Sequence, residues 1–205
     1  MTLEDELAAF YAKCGFGSIA GKRPLTVRVY TGCLLVPMPN IETRRRYLKY
    51  HDLHHLVTGY SVGRIGEGEV SAWELGSGSI FAHPLLGVMN LIALSTGLVL
   101  ARARMWRAFE RGCRSRNLYA PHSRAAVDAG SWADVAELRV AILESRPARG
   151  LVIWRAIEFG IYAVLALLIH AAIAIPAAIV RVVTDIGMGY NFFQAIKPAR
   201  RADLY

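Results

Sequence analysis

Phe159 to Val180 is a run of 22 residues without Asp, Glu, Lys or Arg, and no other stretch limits the fold so strongly. At about 1.5 Å per helical residue it reaches roughly 33 Å, the thickness of a hydrocarbon core. Such a segment either spans a bilayer or is buried very deeply. Pro176 and His170 lie inside it. A membrane helix tolerates the proline as a kink near its end, and a histidine there is either functional or hydrogen-bonded to a neighbouring helix. Arg146, Arg149 and Arg155 precede the run, and Arg181, Lys197, Arg200 and Arg201 follow it, so the flanking charge sets no orientation. Gly76 to Ala101 is also free of these four residue types, but its glycines, Pro84 and Asn90 argue against a second span.

The rest of the 205-residue chain suits one domain or two small ones. A hydrophobic content of 54% excludes a disordered polypeptide. Lys and Arg outnumber Asp and Glu by 24 to 16, giving a net charge of +8. The basic residues flank apolar runs and form no single stripe, which points to an anionic membrane surface or a lipid-like ligand; nucleic acid is not an expected partner. Cys14, Cys33 and Cys113 are odd in number and widely spaced, so neither a disulfide framework nor a cysteine zinc site is expected, and a reducing, cytoplasm-facing environment fits. Glu4, Asp5 and Glu6 stand where a signal peptide carries basic residues, so no export signal is expected.

Local signals predict helices. Thr2-Leu3-Glu4-Asp5 reads as a capping box for a helix through about Lys13, with Leu3, Leu7 and Phe10 at helical spacing. A Gly/Pro-punctuated connector follows from Gly15 to Asn40, with room for one brief strand over Thr26–Tyr30 and no sheet. Asn40 reads as the N-cap of a helix from Ile41 to about Thr58, closed by Gly59. A short helix is expected from Glu67 to Leu75, broken by Gly76-Ser77-Gly78-Ser79. Pro84 to Arg116 forms one long helix or two, apolar at first and then lined by Arg102, Arg104, Arg107, Arg111, Arg114 and Arg116. Ser131-Trp132-Ala133-Asp134 opens another helix that ends before Pro147. The expected fold is all-α: a compact helical domain over 1–146, a hydrophobic helix over 151–187 that contacts or spans a membrane, and a basic tail over 188–205.

The chemistry concentrates in Tyr47-Leu48-Lys49-Tyr50-His51-Asp52-Leu53-His54-His55. His51 and His55, at i and i+4, stack on one helix face about 5 to 6 Å apart at Cβ, the spacing one metal ion needs from two imidazoles. Asp52 lies about 100° around the helix, at the edge of such a site as a ligand or as an acceptor that orients a histidine. His54 points away and is a polar neighbour. Glu67 arrives after the Gly59 turn at the start of the next helix, where the macrodipole favours the ionised form. An all-N/O set with open positions suits a divalent metal such as zinc, iron, manganese or cobalt. Glu74, seven residues after Glu67 on the same face, is a candidate proton donor or a structural carboxylate, while Glu69 is off that face and solvated. His83 and His122, beside Pro84 and Pro121, belong to loops without a metal role.

His51-Asp52-x-x-His55, eleven residues and then Glu67 resembles the signature of the fourth protein of the eukaryotic coenzyme Q (ubiquinone) biosynthesis series, the Coq-four family. Arg46-Tyr47, Gly59, Gly66, Trp73-Glu74 and Arg116-Asn117-Leu118-Tyr119 agree with it, and the likeness covers about Leu7 to Leu143. The apolar segment after Pro147 departs from that pattern. The resemblance implies an all-helical, membrane-associated protein with a polyprenyl-tail groove, and His51, Asp52, His55 and Glu67 as metal ligands. It implies a lyase-type activity, removal of the C1 carboxyl from a polyprenylated hydroxybenzoate coupled to hydroxylation at that carbon. The rival reading is a scaffold that holds a prenyl lipid without catalysis. Expected partners are a polyprenylated quinone precursor or prenyl lipid, the membrane at the cytoplasmic face of the inner membrane, other quinone-biosynthesis proteins and a second copy of the chain. A metal-dependent phosphohydrolase is disfavoured, because such sites need a histidine upstream of the His51-Asp52 pair and none precedes it.

Overall fold

The computed structural model describes residues 1–14, 25–31, 34–145, 147 and 152–193. Residues 15–24 of the connector, Cys33, Arg146, Arg149 and the part of the basic tail with Lys197, Arg200 and Arg201 lie outside the described residues. Among the described residues the fold is helical apart from one two-stranded sheet. The order is α1 (Leu3–Lys13), β1 (Thr26–Thr31), β2 (Leu34–Pro39), α2 (Glu42–Thr58), α3 (Arg64–Gly76), α4 (Ser79–Ala82), α5 (Pro84–Cys113), α6 (Pro121–Asp128), α7 (Val135–Ile142) and α8 (Val152–Gly187).

Several ends follow their sequence signals. The Thr2 side chain accepts from the Asp5 backbone N–H while the Asp5 carboxylate accepts from the Thr2 N–H, the capping box of α1. Gly59 closes α2 with φ 79°, the left-handed conformation that glycine adopts without steric cost. Other ends differ. The N-cap of α2 is Ile41, without a side-chain cap, because the Asn40 side chain accepts from Arg44 instead. In α7 the cap is Asp134, which accepts from the Glu137 N–H, so the helix starts at Val135. His122 lies in the first turn of α6, behind Pro121 at N1, where a proline's missing N–H costs nothing.

The connector does contain a sheet. Thr26–Thr31 and Leu34–Pro39 pair antiparallel, with Val29 opposite Val36 and Arg28 opposite Pro37. Pro37 and Pro39 argue against a strand in the sequence, but each strand of a two-stranded ladder is an edge that can turn a proline nitrogen outward. The hairpin buries Tyr30 and Val36 and packs against α5 and α8.

Glycines draw α3 and α5 together. The helix α3 begins three residues before Glu67, with Gly66 and Gly68 inside it as contact points. A Cβ on Gly66 would lie 1.9 Å from the Ser61 carbonyl oxygen, and one on Gly68 would lie 2.9 Å from the Gly97 Cα. Ala101 (φ −158°, ψ 56°) breaks α5 into two arms, residues 84–100 and 102–113. The break is sharp. Residues 97 and 105 would be about 12 Å apart on a straight helix, yet a Cβ on Gly97 would sit 2.2 Å from the Met105 Sδ. Both arms lie along the α3–α4 segment: Asn90 donates to the Ser79 hydroxyl at 2.8 Å, and a Cβ on Gly112 would meet the Trp73 carbonyl oxygen at 2.1 Å. The core between them holds Leu53, Trp73, Leu94, Met105, Phe109, Leu118 and Leu138.

The long C-terminal helix α8 covers this unit from outside. Its Phe159 and Tyr162 rings pack on Phe109 in the second arm, and His170 Nδ1 lies 3.2 Å from the Ser95 hydroxyl in the first. Ala166 is fully buried between these contacts. Among the described residues two helices, Pro84–Cys113 and Val152–Gly187, are by length and composition apolar enough to contact or cross a membrane; α5 is broken at Ala101, and α8 is much the more exposed of them.

Candidate metal centre

The last two turns of α2 are held from both sides. Arg139 on α7 donates to the Leu56 and Val57 carbonyls at 2.9 and 2.8 Å, and Arg111 on α5 donates to the Thr58 carbonyl at 2.9 Å. These carbonyls have no helical partner and carry the negative end of the dipole, so two guanidinium groups both satisfy and neutralise them. That fixes the turn bearing His54 and His55. The start of α3, held by the Gly66 and Gly68 contacts, brings Glu67 across to it.

His51, His55 and Glu67 each offer a ligand atom within 4.8 Å of the others. The His51 and His55 rings meet edge to face at 4.9 Å. His51 Nε2 is 3.4 Å from one Glu67 oxygen and His55 Nε2 is 3.7 Å from the other. Each ring is oriented by its remaining nitrogen. His55 Nδ1 lies 2.9 Å from the Tyr60 carbonyl, which can only accept, so Nδ1 carries the proton and donates. His55 Nε2 is buried and makes no hydrogen bond, with a Glu67 oxygen as its near neighbour. His51 Nδ1 lies 2.9 Å from Glu74 Oε1. A carboxylate or carbonyl behind a histidine, fixing its tautomer and ring plane, is the usual support of a metal-binding imidazole. His51 and Glu67 are each about a quarter exposed, whereas His55 is 1% exposed at its side chain, so the cluster opens to solvent on the His51–Glu67 side.

Asp52 is not among the three. It is buried on the neighbouring face, where burial raises its carboxyl above the usual range against the pull of His51 and His55.

Glu74 is fully buried at the centre of a polar network that sequence reasoning missed. Its Oε1 accepts from His51 Nδ1 at 2.9 Å, His54 Nδ1 at 2.7 Å and the Tyr119 hydroxyl at 2.7 Å. His54 Nε2 accepts from the Leu118 backbone N–H at 2.9 Å, so its proton sits on Nδ1 and points at Glu74. Burial alone pushes the Glu74 carboxyl up, but the His51 charge and the His51 and His54 hydrogen bonds outweigh it and hold it well below the usual range. These contacts favour the ionised, accepting form of Glu74 in this arrangement. Glu67 is likewise held low, by His55 and His51 against burial. His51 is raised well above the ordinary imidazole value, because the Glu74 and Glu67 carboxylates overcome its burial. Two ionised carboxylates thus keep a positive charge between them, supplied by an imidazolium proton or by a cation.

Trp73 and Tyr119 wall the network off, at 4.9 and 5.0 Å from the His54 ring. The segment Arg116 to Tyr119, noted above only as a flanking resemblance, was the one sequence signal that could have drawn Tyr119 into the site. Glu69, expected in solvent, is buried beneath a two-pronged ion pair with Arg104, at 2.8 and 2.6 Å. His83 is the N-cap residue of α5, without a side-chain cap, and its ring lies tilted against Tyr47 at 5.7 Å. No family model, curated protein or solved structure matches the chain.

Proposed function

We propose that the chain is a metal-dependent enzyme of ubiquinone biosynthesis that removes the C1 carboxyl from a polyprenylated hydroxybenzoate and places a hydroxyl on the vacated carbon. The observation that carries the metal assignment is His55 Nε2, buried, without a hydrogen bond and facing the Glu67 carboxylate. A buried nitrogen of this kind costs free energy unless something binds it. His51, His55 and Glu67 would hold a divalent cation, with Asp52 at the margin. Three nitrogen and oxygen donors without thiolate suit zinc, iron, manganese or cobalt and leave coordination positions open, as a reacting ligand needs.

When bound, such a cation supplies Lewis acidity beside a phenolate ring, or electron chemistry if it is iron. Exchanging a carboxyl for a hydroxyl releases two electrons, so an electron acceptor or dioxygen takes part. Glu74 fixes the His51 ring through Nδ1, and Tyr119 and His54 fix Glu74. The buried face of His55 and the Trp73 wall exclude water from behind, which leaves the His51–Glu67 opening as the approach for the ring. The apolar surfaces of α5 and α8 suit the prenyl tail and support a membrane location, in this reading the cytoplasmic face of the inner membrane. Other quinone-biosynthesis proteins and a second copy of the chain are partners this reading accommodates.

The test is release of labelled carbon dioxide from a carboxyl-labelled prenylated hydroxybenzoate by metal-loaded and metal-stripped protein. Turnover that returns with the metal supports the proposal. If metal-loaded protein with bound prenyl lipid releases none, the scaffold reading replaces it.

A further inference from the structure

The 22-residue uncharged run suggests a membrane span, yet the way α8 is covered points elsewhere. Its four charged residues all turn toward the protein. Arg155 pairs with Glu158, both about a quarter exposed at the side chain, and Arg181 pairs with Asp185 at 3.5 Å with both side chains under a tenth exposed. The opposite face is apolar from end to end. Trp154, Ile161, Leu168 and Ile175 recur every seven residues, and Ile179 and Ile186 extend the line; each is between 46% and 71% exposed. Seven residues are close to two helical turns, so these side chains form one stripe. The helix has 36 residues, about 54 Å in length, against a hydrocarbon core of roughly 30 Å. The stripe therefore continues past both ends of the uncharged run, which a span has no reason to require.

The covered side of α8 argues the same way. It rests first on the second arm of α5 at Trp106 and Phe109, where Arg107, Glu110 and Arg111 are neighbours in sequence, and then on Ser95 and the hairpin. A span with these contacts intact would carry that charged arm into hydrocarbon, which is costly. Laid in the plane of the surface, the same helix sinks only its stripe and keeps every charge on the protein side. The exposed guanidinium groups of Arg102 and Arg107 on the adjoining arm, and the net charge of +8, match anionic headgroups. We infer that α8 is a monotopic anchor that lies in one leaflet of an anionic bilayer with the Trp154–Ile186 stripe in the acyl boundary, and does not cross it. This inference is independent of the metal centre and its chemistry.

The test uses the full chain, synthesised in the presence of sealed vesicles of phosphatidylcholine and phosphatidylglycerol, in a Cys14→Ser, Cys33→Ser, Cys113→Ala background. Pro147→Cys and Asn191→Cys, placed before and after α8, report the side each end occupies through a membrane-impermeant maleimide. Equal labelling of both from outside, relative to detergent-solubilised protein, is the expected result. Protection of one end until detergent is added would overturn the inference in favour of a span. Leu168→Glu with Ile175→Glu should lower vesicle binding at least tenfold without loss of helical signal. A full chain that stays off the vesicles as a soluble dimer would show instead that a second copy covers the stripe.

Discussion

Among single residues, Glu74 separates the two roles a buried carboxylate can take beside a metal. A proton donor would be neutral when needed and would touch the substrate. Glu74 is fully buried, its carboxyl is held below the usual range, and one of its oxygens is occupied by His51, His54 and Tyr119. It acts on the metal through His51 Nδ1, so Glu74→Gln should weaken metal affinity about 10- to 100-fold, the usual cost of losing such a support. Turnover should fall in parallel and recover at saturating metal. Metal titration and turnover on the same preparation check this: unchanged affinity with slow turnover would restore the proton-donor role. The sequence showed the i, i+4 histidines and Glu67 clearly, because helical spacing alone brings His51 and His55 together. It could not show that Glu74 faces inward against both His51 and His54, since that depends on how α2 crosses α3.

At the level of elements, the site depends on how closely α3 approaches α5. Gly68, Gly76, Gly97 and Gly112 leave no room for a methyl group: a Cβ on Gly76 would lie 2.3 Å from the Phe109 carbonyl oxygen. In the sequence Gly76 looks like a helix break and the other three sit inside expected helices, so their close contacts, the α3 start and the β1–β2 pairing were illegible, while the break in α5 stood open as one long helix or two. Each rests on contacts between segments far apart in the chain. The ends set by local chemistry, the Thr2 box and the Gly59 cap, were legible. Gly112→Ala should therefore push α3 off α5 and lower stability by about 1–3 kcal/mol, with weaker metal binding because Glu67 and Glu74 both ride on α3. Gly160→Ala on α8, with open space around it, should be neutral or stabilising by up to about 1 kcal/mol. Urea unfolding of the two variants compares them, and equal losses would contradict the close-packing account.

For the molecule as a whole, hydropathy announced α8 but not its relation to the rest. The uncharged run predicted a helix of the right place and length; only the structure shows that its charges turn inward and that its inner stripe, Tyr162, Ala166, Ala177, Arg181 and Asp185, is buried against α5 and the hairpin. The anchor is thus continuous with the core that holds α3 in place, and the histidine cluster sits on a scaffold stiffened from both sides of α2. In the proposed function this scaffold holds one divalent metal at His51, His55 and Glu67. Elemental analysis of the purified full chain, beside the His51→Ala, His55→Ala double variant, measures it directly. About one metal per chain in the wild type and none in the double variant is the expected result; full metal occupancy in the double variant would contradict it.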